Sequence, residues 1–387
     1  GGIDAHVHFR EPGMEYKGDI ESESKAALLG GVTSFIDMPN TTPQTTDMEA
    51  VRDKIKRAGG RAWGNYGFHI GATNTNLGMI NEYLSGGLGS EFGGIKVFMG
   101  SSTGNMLVSD EEALRKFFMI KDKPILIHSE DEAVIKANLM AAEAEFGDDI
   151  PFSEHPRIRS RKACTRPTAK ALEMAIEYGT RLHVLHVSTA EEVEMIRAAK
   201  LHNPRITAET SANYLWFCDE DYDRLKGRVK CNPAVKGAAD REALRKGLAE
   251  GVIDTIGSDH APHLLSEKEA PYLRCPSGLP SIQQSLAVVL TAADTFNKGK
   301  EDSRCLTLSR IASAFSESPA EILGIKDRGS LKAGNFADLV VIDPDREYSV
   351  ADSAYKCAWS PYDGTPLRSR IDRVFLNGRQ VVTSALL

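Results

Sequence analysis

The sequence predicts an α/β protein, a TIM-like (β/α)8 barrel that carries a small β-sandwich domain. Two observations predict the barrel: eight short β-like runs alternate with amphipathic stretches or long loops, and the helical stretches have capping residues at their ends. A third observation predicts the smaller domain, because β-rich runs and an Asn-Gly turn replace the helical pattern after about residue 325. The predicted domains are residues 1–325 for the barrel and 326–387 for the C-terminal part of the sandwich.

The predicted elements follow one another along the chain. The β-like runs occupy residues 2–9, 32–38, 62–71, 93–100, 124–130, 181–189, 205–213 and 254–263. The clearest helices between them occupy residues 19–31, 47–59, 110–120, 168–179, 189–200 and 240–251. A polar segment rich in Pro and Gly, residues 264–278, follows the last run. We expect this segment to be a loop that closes over a substrate at the top of the barrel.

Composition and charge exclude several classes of protein. The formal net charge of −7 over 387 residues argues against a broad nucleic-acid-binding surface. No apolar run approaches the ~20 residues needed to span a bilayer, so no membrane partner is expected. The six scattered cysteines favour reduced thiols and a cytoplasmic location. The sequence has neither a signal peptide nor an initiator Met, and we therefore expect the true N-terminus to lie upstream.

Two histidines stand one residue apart in the first run. Side chains alternate between the two faces of a strand, so His6 and His8 point to the same side. Two imidazoles on one face can bind one metal ion. The alternative is a pair of edge-strand histidines that has no such task.

Further metal-ligating side chains stand where other β-like runs end, which is where barrel active sites lie. They are Lys96, His128, His186 and Asp259. His186 has a rival in His183. Because residues three apart on a strand face opposite ways, we expect His183 to pack outside the barrel and His186 to be the ligand.

Lys96 is unusual because it interrupts the apolar run GGIKVFMG (93–100). A charged lysine buried in such a strand carries a free-energy cost. It is therefore neutral, or paired to a carboxylate, or converted by CO2 into a carbamate that bridges two metal ions. Burial lowers the pKa of a lysine, which supplies the free amine that carbamate formation requires.

Eight motifs occur in a fixed order along the chain. They are HVHFREPG (6–13), DMPNT (37–41), KVFMG (96–100), HSE (128–130), HVST (186–189), CNPAVK (231–236), SDHAPH (258–263) and SGLP (277–280). In this order they resemble the amidohydrolase superfamily, and most closely its dihydroorotases, the cyclic amidases of de novo pyrimidine biosynthesis. The resemblance implies two Zn²⁺ ions per chain, Lys96 as N6-carboxylysine and a hydroxide that bridges the two ions. It assigns one zinc to His6, His8 and Asp259 and the other to His128 and His186.

The resemblance also implies the reaction, which is the reversible hydrolysis of dihydroorotate to N-carbamoyl-aspartate. Asp259 would be the catalytic residue, taking a proton from the nucleophile and passing it to the leaving amide nitrogen. The implied substrate contacts are Arg10, Asn40 and His263 for the ring carboxylate and Asn232, Gly278 and Leu279 for the ring amides. Glu11 is expected to brace Arg10 or the turn, and His260 to support a ligand from behind.

Two departures from the family pattern and two alternative functions accompany this interpretation. The relatives carry a preceding segment that supplies much of the sandwich, so its N-terminal part is expected upstream of Gly1. The segment SGLPSIQQSL (277–286) lacks the Gly-Leu-Glu pattern of many relatives.

The alternative functions are a hydantoinase- or allantoinase-like cyclic amidase and a non-catalytic assembly partner of aspartate carbamoyltransferase. The expected partners are a small-molecule substrate and further copies of the chain, as in a homodimer.

Overall fold

Parallel strands form a closed barrel in the computed structural model, which describes residues 1–100 and 106–382. The barrel strands are β1 (Gly2–Val7), β2 (Val32–Asp37), β3 (Asn65–Phe68), β4 (Ile70–Gly71), β5 (Ile95–Phe98), β6 (Ile125–His128), β7 (Leu182–Val184), β8 (Thr207–Ser211) and β9 (Thr255–Gly257). β3 and β4 belong to one predicted run, which pairs with β2 before His69 and with β5 after it. The barrel closes where Val7 bridges His260, and there the N–H of His8 donates to the His260 carbonyl at 2.8 Å.

Most of the helices connect successive strands. The α-helices are α1 (Ile20–Leu29), α2 (Met48–Ala58), α3 (Leu77–Ser85), α4 (Glu111–Phe118), α5 (Glu132–Phe146), α6 (His155–Ile158), α7 (Arg161–Tyr178), α8 (Ala190–Lys200), α9 (Ala212–Trp216), α10 (Asp221–Leu225), α11 (Ala238–Ala249), α12 (Leu265–Lys268), α13 (Ser285–Asn297), α14 (Leu308–Ala312) and α15 (Ser318–Leu323). Short 3₁₀ helices occupy Leu88–Glu91, Phe152–Glu154, Lys226–Val229 and Asp302–Arg304, and a π-helical turn occupies Ser313–Glu317. The side chains of Asp19, Asp47 and Asp110 cap α1, α2 and α4, as the sequence predicts.

One helix begins earlier than the sequence indicates. α7 starts at Arg161, whereas its predicted start was residue 168, and it keeps Pro167 inside. Proline lacks the N–H that would bond to the carbonyl four residues earlier. That carbonyl belongs to Ala163 and accepts the N–H of Asp131 at 2.8 Å instead. A neighbouring segment therefore satisfies the group that Pro167 leaves free.

The register of the parallel strands decides which side chains face the barrel interior. Lys96, Leu126, His183 and Thr207 are neighbours in register across β5, β6, β7 and β8, so they project to the same side. His183 accordingly lies inside, where it is 2% exposed and bonds to Thr207 Oγ1 at 2.8 Å. The expectation that His183 packs outside is wrong, because β7 ends at Val184 and strand alternation does not extend to residue 186.

A small antiparallel sheet follows the barrel. Its strands β10 (Leu339–Asp343), β13 (Arg370–Leu376) and β14 (Arg379–Val382) pair in the order β10-β13-β14, and β11 (Tyr348–Ser349) pairs with β12 (Pro366–Leu367). Asn377 and Gly378 connect β13 to β14 with φ angles of 50° and 81°, as the predicted Asn-Gly turn requires. The barrel with its small sheet domain confirms the predicted fold class. The domain boundary at residue 325 stays a prediction.

Two observations concern the environment of the protein. Within residues 1–100 and 106–382, no helix combines the length and the apolar character that crossing a membrane requires. All six cysteines are free thiols, and five of them are buried.

A buried ion pair anchors the carboxyl end of β2. Lys54 of α2 bonds to Asp37, and their side chains are 1% and 0% exposed. Asp37 also accepts the N–H of Phe9 at 2.8 Å, and Lys54 donates to the Met38 carbonyl at 3.0 Å. The pair therefore holds the ends of β1 and β2 against α2.

We expect Lys54→Met to lower the free energy of unfolding by about 3–5 kcal/mol, because Asp37 then remains buried as an unpaired charge. Urea unfolding measures this free energy. Arg52→Met on the same helix is the control, since its partner Glu91 is solvent-accessible and exposed pairs contribute little. Equal stability of the two variants would contradict the role given to the buried pair.

Candidate active site

A cavity of about 440 Å³ opens where the barrel strands end. Its walls contain His6, His8, Arg10, Met14, Asn40, Thr42, Lys96, Phe98, His128, His186, Asn232, Asp259, Ala261, His263, Pro276, Ser277 and Gly278. Every site residue named from the sequence is among them except Leu279. Side chains from distant parts of the chain thus meet in one space.

Three of the predicted ligands converge at one side of this cavity. The ligand atoms of His6, His8 and Asp259 all lie within 4.8 Å of one another. The Nε2 atoms of the two imidazoles are 3.3 and 3.2 Å from Asp259 Oδ1. Burial acts to raise the pKa of Asp259, but the neighbouring His6, His8 and Lys96 outweigh burial and hold that pKa below its ordinary value. The cluster therefore combines an ionised carboxylate with two imidazoles, a donor set that suits zinc.

The remaining predicted ligands lie beside this cluster. His128 Nδ1 is 2.8 Å from His186 Nε2, and the rings of His6 and His186 are 5.3 Å apart. Lys96 is 1% exposed, and its Nζ lies 4.7 Å from the centre of the Phe98 ring. Burial lowers the pKa of Lys96 to about 7. In the described part of the chain no carboxylate lies within ion-pair distance of Nζ, which removes the carboxylate-paired alternative for this residue.

Three residues of the site have left-handed backbone conformations. The φ angles are 68° for Arg10, 37° for His186 and 48° for Asp259. Such conformations are uncommon for residues other than glycine and cluster at functional sites. Each residue stands just beyond the end of a strand, where a left-handed turn redirects the side chain. Strand alternation predicts that His183 and His186 face opposite sides of the strand. The left-handed turn at His186 makes that rule inapplicable to this pair.

Two glutamates that sequence reasoning missed stand behind the histidines. Glu209 Oε1 is 2.6 Å from His6 Nδ1, and Glu130 Oε2 is 2.9 Å from His128 Nε2. A carboxylate in this position fixes the imidazole tautomer and its orientation. The available signal was a glutamate inside a β-like run, the same signal that drew attention to Lys96.

Asn40 occupies the corresponding position behind His8. Its Oδ1 lies 2.8 Å from His8 Nδ1, so the His8 N–H donates to it and Nε2 faces Asp259.

Burial holds the pKa of His6 and His186 well below the ordinary value for histidine, and that of His128 below it. These three imidazoles are therefore neutral at pH 7 and keep a lone pair for a metal ion.

A cationic wall borders the other side of the cavity. Arg10 is 7% exposed, its Nε donates to the Pro262 carbonyl at 3.0 Å, and its Nη2 lies 3.0 Å from His263 Nε2. Burial lowers the pKa of Arg10 to about 10, so the guanidinium is charged at neutral pH. Asn232 Oδ1 is buried and makes no hydrogen bond to any residue that the structure describes. This wall offers a positive charge and an unused acceptor to a ligand.

The resemblance implies that the backbone around Gly278 and Leu279 holds the ring amides. In the structure several polar groups of this backbone already have hydrogen-bond partners. The N–H of Gly278 donates to the Lys230 carbonyl at 3.0 Å, and the Gly278 carbonyl accepts from Lys268 Nζ at 2.9 Å. Leu279 is 1% exposed, and its carbonyl accepts the N–H of Ala261 at 2.8 Å. Gly278 therefore lines the cavity with its polar groups already bonded, and Leu279 packs behind it.

The loop over residues 264–278 is held by one buried lysine. Lys268 Nζ donates to the carbonyls of Lys230, Pro276 and Gly278 at 2.9, 2.7 and 2.9 Å. An ammonium group has three N–H bonds, and each of them has an acceptor here. The end of the loop is thus fixed against the cavity wall.

Two other residues named from the sequence have supporting positions. Glu11 accepts the first backbone N–H of α1 at 3.1 Å and bonds to Arg61 at 2.7 Å, so it braces the turn. His260 is fully buried, and its Nε2 lies 2.7 Å from Glu23 Oε2. His260 therefore joins the closing strand to α1.

Comparison with known sequences identifies relatives along nearly the whole chain. The model of the amidohydrolase family matches residues 1–381. A dihydroorotase from Methanosarcina acetivorans is 34% identical over 375 residues, which cover 94% of this chain and 77% of that protein. A dihydroorotase from Halobacterium salinarum is 32% identical over 371 residues, which cover 94% of this chain and 81% of that protein.

Comparison with solved structures identifies the same fold. The L-hydantoinase (dihydropyrimidinase) from Arthrobacter aurescens superimposes with a TM-score of 0.90 at 28% identity, over 99% of this chain and 84% of that one. The dihydropyrimidinase from Brevibacillus agri superimposes with a TM-score of 0.88 at 24% identity, over the same shares of the two chains. At that identity the second likeness concerns the fold alone.

We expect Lys268→Met to accelerate amide hydrogen exchange at Gly278 by about tenfold or more, because three buried carbonyls lose their donor. Hydrogen–deuterium exchange read by mass spectrometry on peptides that cover residues 270–284 measures this change. Lys298→Met, at the exposed end of α13, is the control. Unchanged exchange in the Lys268 variant would show that other contacts hold the loop.

Proposed function

The chain belongs to the amidohydrolase family, and from this premise we propose that it hydrolyses the cyclic amide of dihydroorotate to N-carbamoyl-aspartate and closes the same ring in reverse. One observation carries the proposal. Arg10 is buried in the cavity that holds the His6, His8 and Asp259 cluster, and none of the described carboxylates forms an ion pair with it. An anionic ring substrate would supply the missing negative charge.

We propose that the site holds two zinc ions. His6, His8 and Asp259 would hold one, His128 and His186 the other, and Lys96 as N6-carboxylysine would bind both. The donor set supports this assignment, because neutral imidazoles and carboxylates are zinc ligands and because Glu209 and Glu130 orient two of the imidazoles. When bound, such a pair of ions lowers the pKa of a water molecule and polarises the amide carbonyl.

The proposed carboxylation of Lys96 follows from its surroundings. A buried lysine whose pKa is about 7 is largely neutral in mildly alkaline solution, and its lone pair can attack CO2. The new N–C bond gives a carbamate and releases one proton. This product carries the negative charge that two cations would require of their shared ligand.

Asp259 would move the proton during catalysis. Its pKa lies below the ordinary value, so the carboxylate is ionised and can accept the proton of the attacking water. The same carboxyl group then donates this proton to the ring nitrogen as the amide bond breaks. In the reverse direction Asp259 takes the proton from that nitrogen, the nitrogen forms a bond to the carboxyl carbon, and the C–O bond breaks so that the oxygen leaves as water with the proton from Asp259.

The other walls would orient the substrate. Arg10 and His263 would bind the ring carboxylate, and a guanidinium can form two parallel bonds to such a group. Because Asn40 Oδ1 is engaged by His8, its Nδ2 is the atom available to a substrate oxygen. Asn232 Oδ1 would accept a ring N–H, which would satisfy a buried atom that has no partner among residues 1–100 and 106–382.

The cationic wall and the metal ligands also distinguish the proposed function from the two alternative functions. A hydantoinase- or allantoinase-like amidase would use the same metal ligands on a ring without this carboxylate, and it would leave the charge of Arg10 unpaired. A non-catalytic partner of aspartate carbamoyltransferase would need none of the six ligands, and all six meet in the cavity. The cytoplasmic location and the homodimer remain predictions.

The first experiment measures turnover of dihydroorotate and of N-carbamoyl-aspartate, with hydantoin and allantoin as comparison substrates, on protein of known metal content. Turnover of the first pair with about two zinc ions per chain supports the proposal. Two zinc ions with turnover of only hydantoin or allantoin would keep the metal centre and overturn the substrate.

We expect Arg10→Met to lower kcat/KM for dihydroorotate by about a hundredfold and to leave the zinc content unchanged, because the side chain binds the carboxylate and not the metal. Steady-state kinetics and metal analysis check both parts. Arg52→Met, an exposed arginine, is the control. Unchanged turnover in Arg10→Met would show that another group binds the carboxylate.

We expect zinc-loaded protein grown with ¹³C-bicarbonate to give a carbamate ¹³C signal that disappears in Lys96→Arg, since a guanidinium does not add CO2. NMR measures this signal independently of turnover. Lys123→Arg is the control because Lys123 is a lysine outside the cavity whose Nζ donates to the Phe92 carbonyl at 2.7 Å. A wild-type protein that binds two zinc ions without this signal would exclude the carboxylated lysine.

A further inference from the structure

Each ring nitrogen of His263 lies against a cationic side chain that can only donate hydrogen bonds. Lys17 Nζ lies 2.9 Å from His263 Nδ1, and Arg10 Nη2 lies 3.0 Å from His263 Nε2. The Ser277 carbonyl also lies 3.1 Å from Nε2. His263 and Lys17 are each 7% exposed, so water does not freely replace these contacts.

Lys17 forms an ion pair with an acidic neighbour. Its Nζ is 2.9 Å from Glu267 Oε1, and the Glu267 side chain is 29% exposed. An ammonium nitrogen has no lone pair, so it can only donate to His263. The Nδ1 atom of His263 must therefore be the acceptor.

This contact decides which nitrogen of the ring carries the proton. A neutral imidazole has one N–H and one lone pair, and with Nδ1 accepting, the proton is on Nε2. The Ser277 carbonyl agrees with this tautomer, since it can accept that N–H. Arg10 Nη2 does not, because two donors then face each other across 3.0 Å. The Ser277 carbonyl can accept Nε2–H, but Arg10 Nη2 still faces a donor, and a carboxylate between the two side chains would accept from both.

We propose that Lys17 is a positioning residue that fixes His263 in the tautomer protonated at Nε2, so that His263 and Arg10 both donate to an anionic group on the substrate. The identity of that group as the ring carboxylate rests on the proposed function. Lys17 itself does not line the cavity and acts through His263.

Without Lys17, His263 would adopt the opposite tautomer. Nδ1 would then carry the proton and turn towards Glu267 Oε2, which lies 3.6 Å away in this structure. Nε2 would expose its lone pair to Arg10, and the two side chains would bond to each other. Both donors would be lost to the substrate, although the metal ligands would be unchanged.

The kinetic test compares Lys17→Met with Lys17→Arg, which keeps a group that can only donate. We expect Lys17→Met to raise KM for dihydroorotate by about tenfold or more while kcat changes by less than about threefold, and Lys17→Arg to restore most of the affinity. Lys56→Met, an exposed lysine of α2, is the control. Equal losses in the Met and Arg variants, or loss of zinc, would assign Lys17 a structural role and overturn the inference.

A second measurement does not depend on turnover. The ¹⁵N chemical shifts of the His263 ring, assigned by comparison with His263→Gln, distinguish a protonated from an unprotonated nitrogen. We expect wild type to be protonated at Nε2 and Lys17→Met at Nδ1. The same tautomer in both proteins would overturn the inference even if KM changes.

The two measurements separate this inference from the proposed function. If wild type turns over dihydroorotate and Lys17→Met leaves KM and the tautomer unchanged, the inference alone fails. If wild type does not turn over dihydroorotate, the proposed function fails, and the ¹⁵N shifts still decide whether Lys17 sets the tautomer.

Discussion

The carboxylate of Asp4 joins the first and the last strands of the barrel. It accepts the N–H of His6 at 3.0 Å and, through both oxygens, the N–H of Ser258 at 3.2 Å. These two N–H groups belong to segments more than 250 residues apart, and each segment carries proposed metal ligands. Asp4 is 3% exposed, and burial raises its pKa to about 7. The placement of His6 against Asp259 thus depends on one buried acid at the line where the barrel closes.

Three buried lysines illustrate three different solutions to the cost of burying a charge. Lys54 has a carboxylate partner in Asp37, and Lys268 has three carbonyl acceptors. Lys96 has neither within bonding distance among the described residues. Its Nζ lies 4.7 Å from the centre of the Phe98 ring, and the nearby charges of Asp259 and Glu209 only partly offset the effect of burial on its pKa. A residue with no partner for its charge is stable as the free amine, which is the form that reacts with CO2. Burial lowers the pKa of both Lys96 and Lys268 to about 7, so Lys96 differs from Lys268 in lining the cavity and in having no hydrogen-bond acceptor among the described residues.

Sequence reasoning located the parts of the site that depend on strand ends. The positions of His6, His8 and His128 follow from run lengths and from alternation, and all three line the cavity. It did not locate Glu209 or Lys17, because their roles depend on contacts between segments far apart in the sequence. No local pattern distinguishes a lysine that bonds to an imidazole from one that lies in solvent.

The absence of a local pattern also explains what sequence reasoning missed about the backbone. Strand alternation failed for His183 because the left-handed residue His186 follows the strand end, and no residue type announces that conformation. The resemblance implies that the backbone around Gly278 and Leu279 holds the ring amides, and this stays a prediction. The N–H and carbonyl of Gly278 bond to Lys230 and Lys268, the Leu279 carbonyl accepts the N–H of Ala261, and such bonds appear only once the loop is folded.

The division of the cavity into two walls suggests how one fold can serve different ring substrates. Under the proposed function, the histidine and aspartate wall would provide chemistry that any cyclic amide needs. The fold shared with the hydantoinase from Arthrobacter aurescens does not discriminate between rings. The cationic wall is built from Arg10 and His263, each of which follows a proposed metal ligand within a few residues. Because Arg10 has a left-handed backbone directly after the first two ligands, the position of the guanidinium is coupled to the position of the imidazoles. The backbone therefore fixes the distance between the guanidinium, which would bind the substrate carboxylate, and the imidazoles of the proposed metal site. A change of substrate specificity would require new side chains at Arg10 and His263 but no change in the barrel.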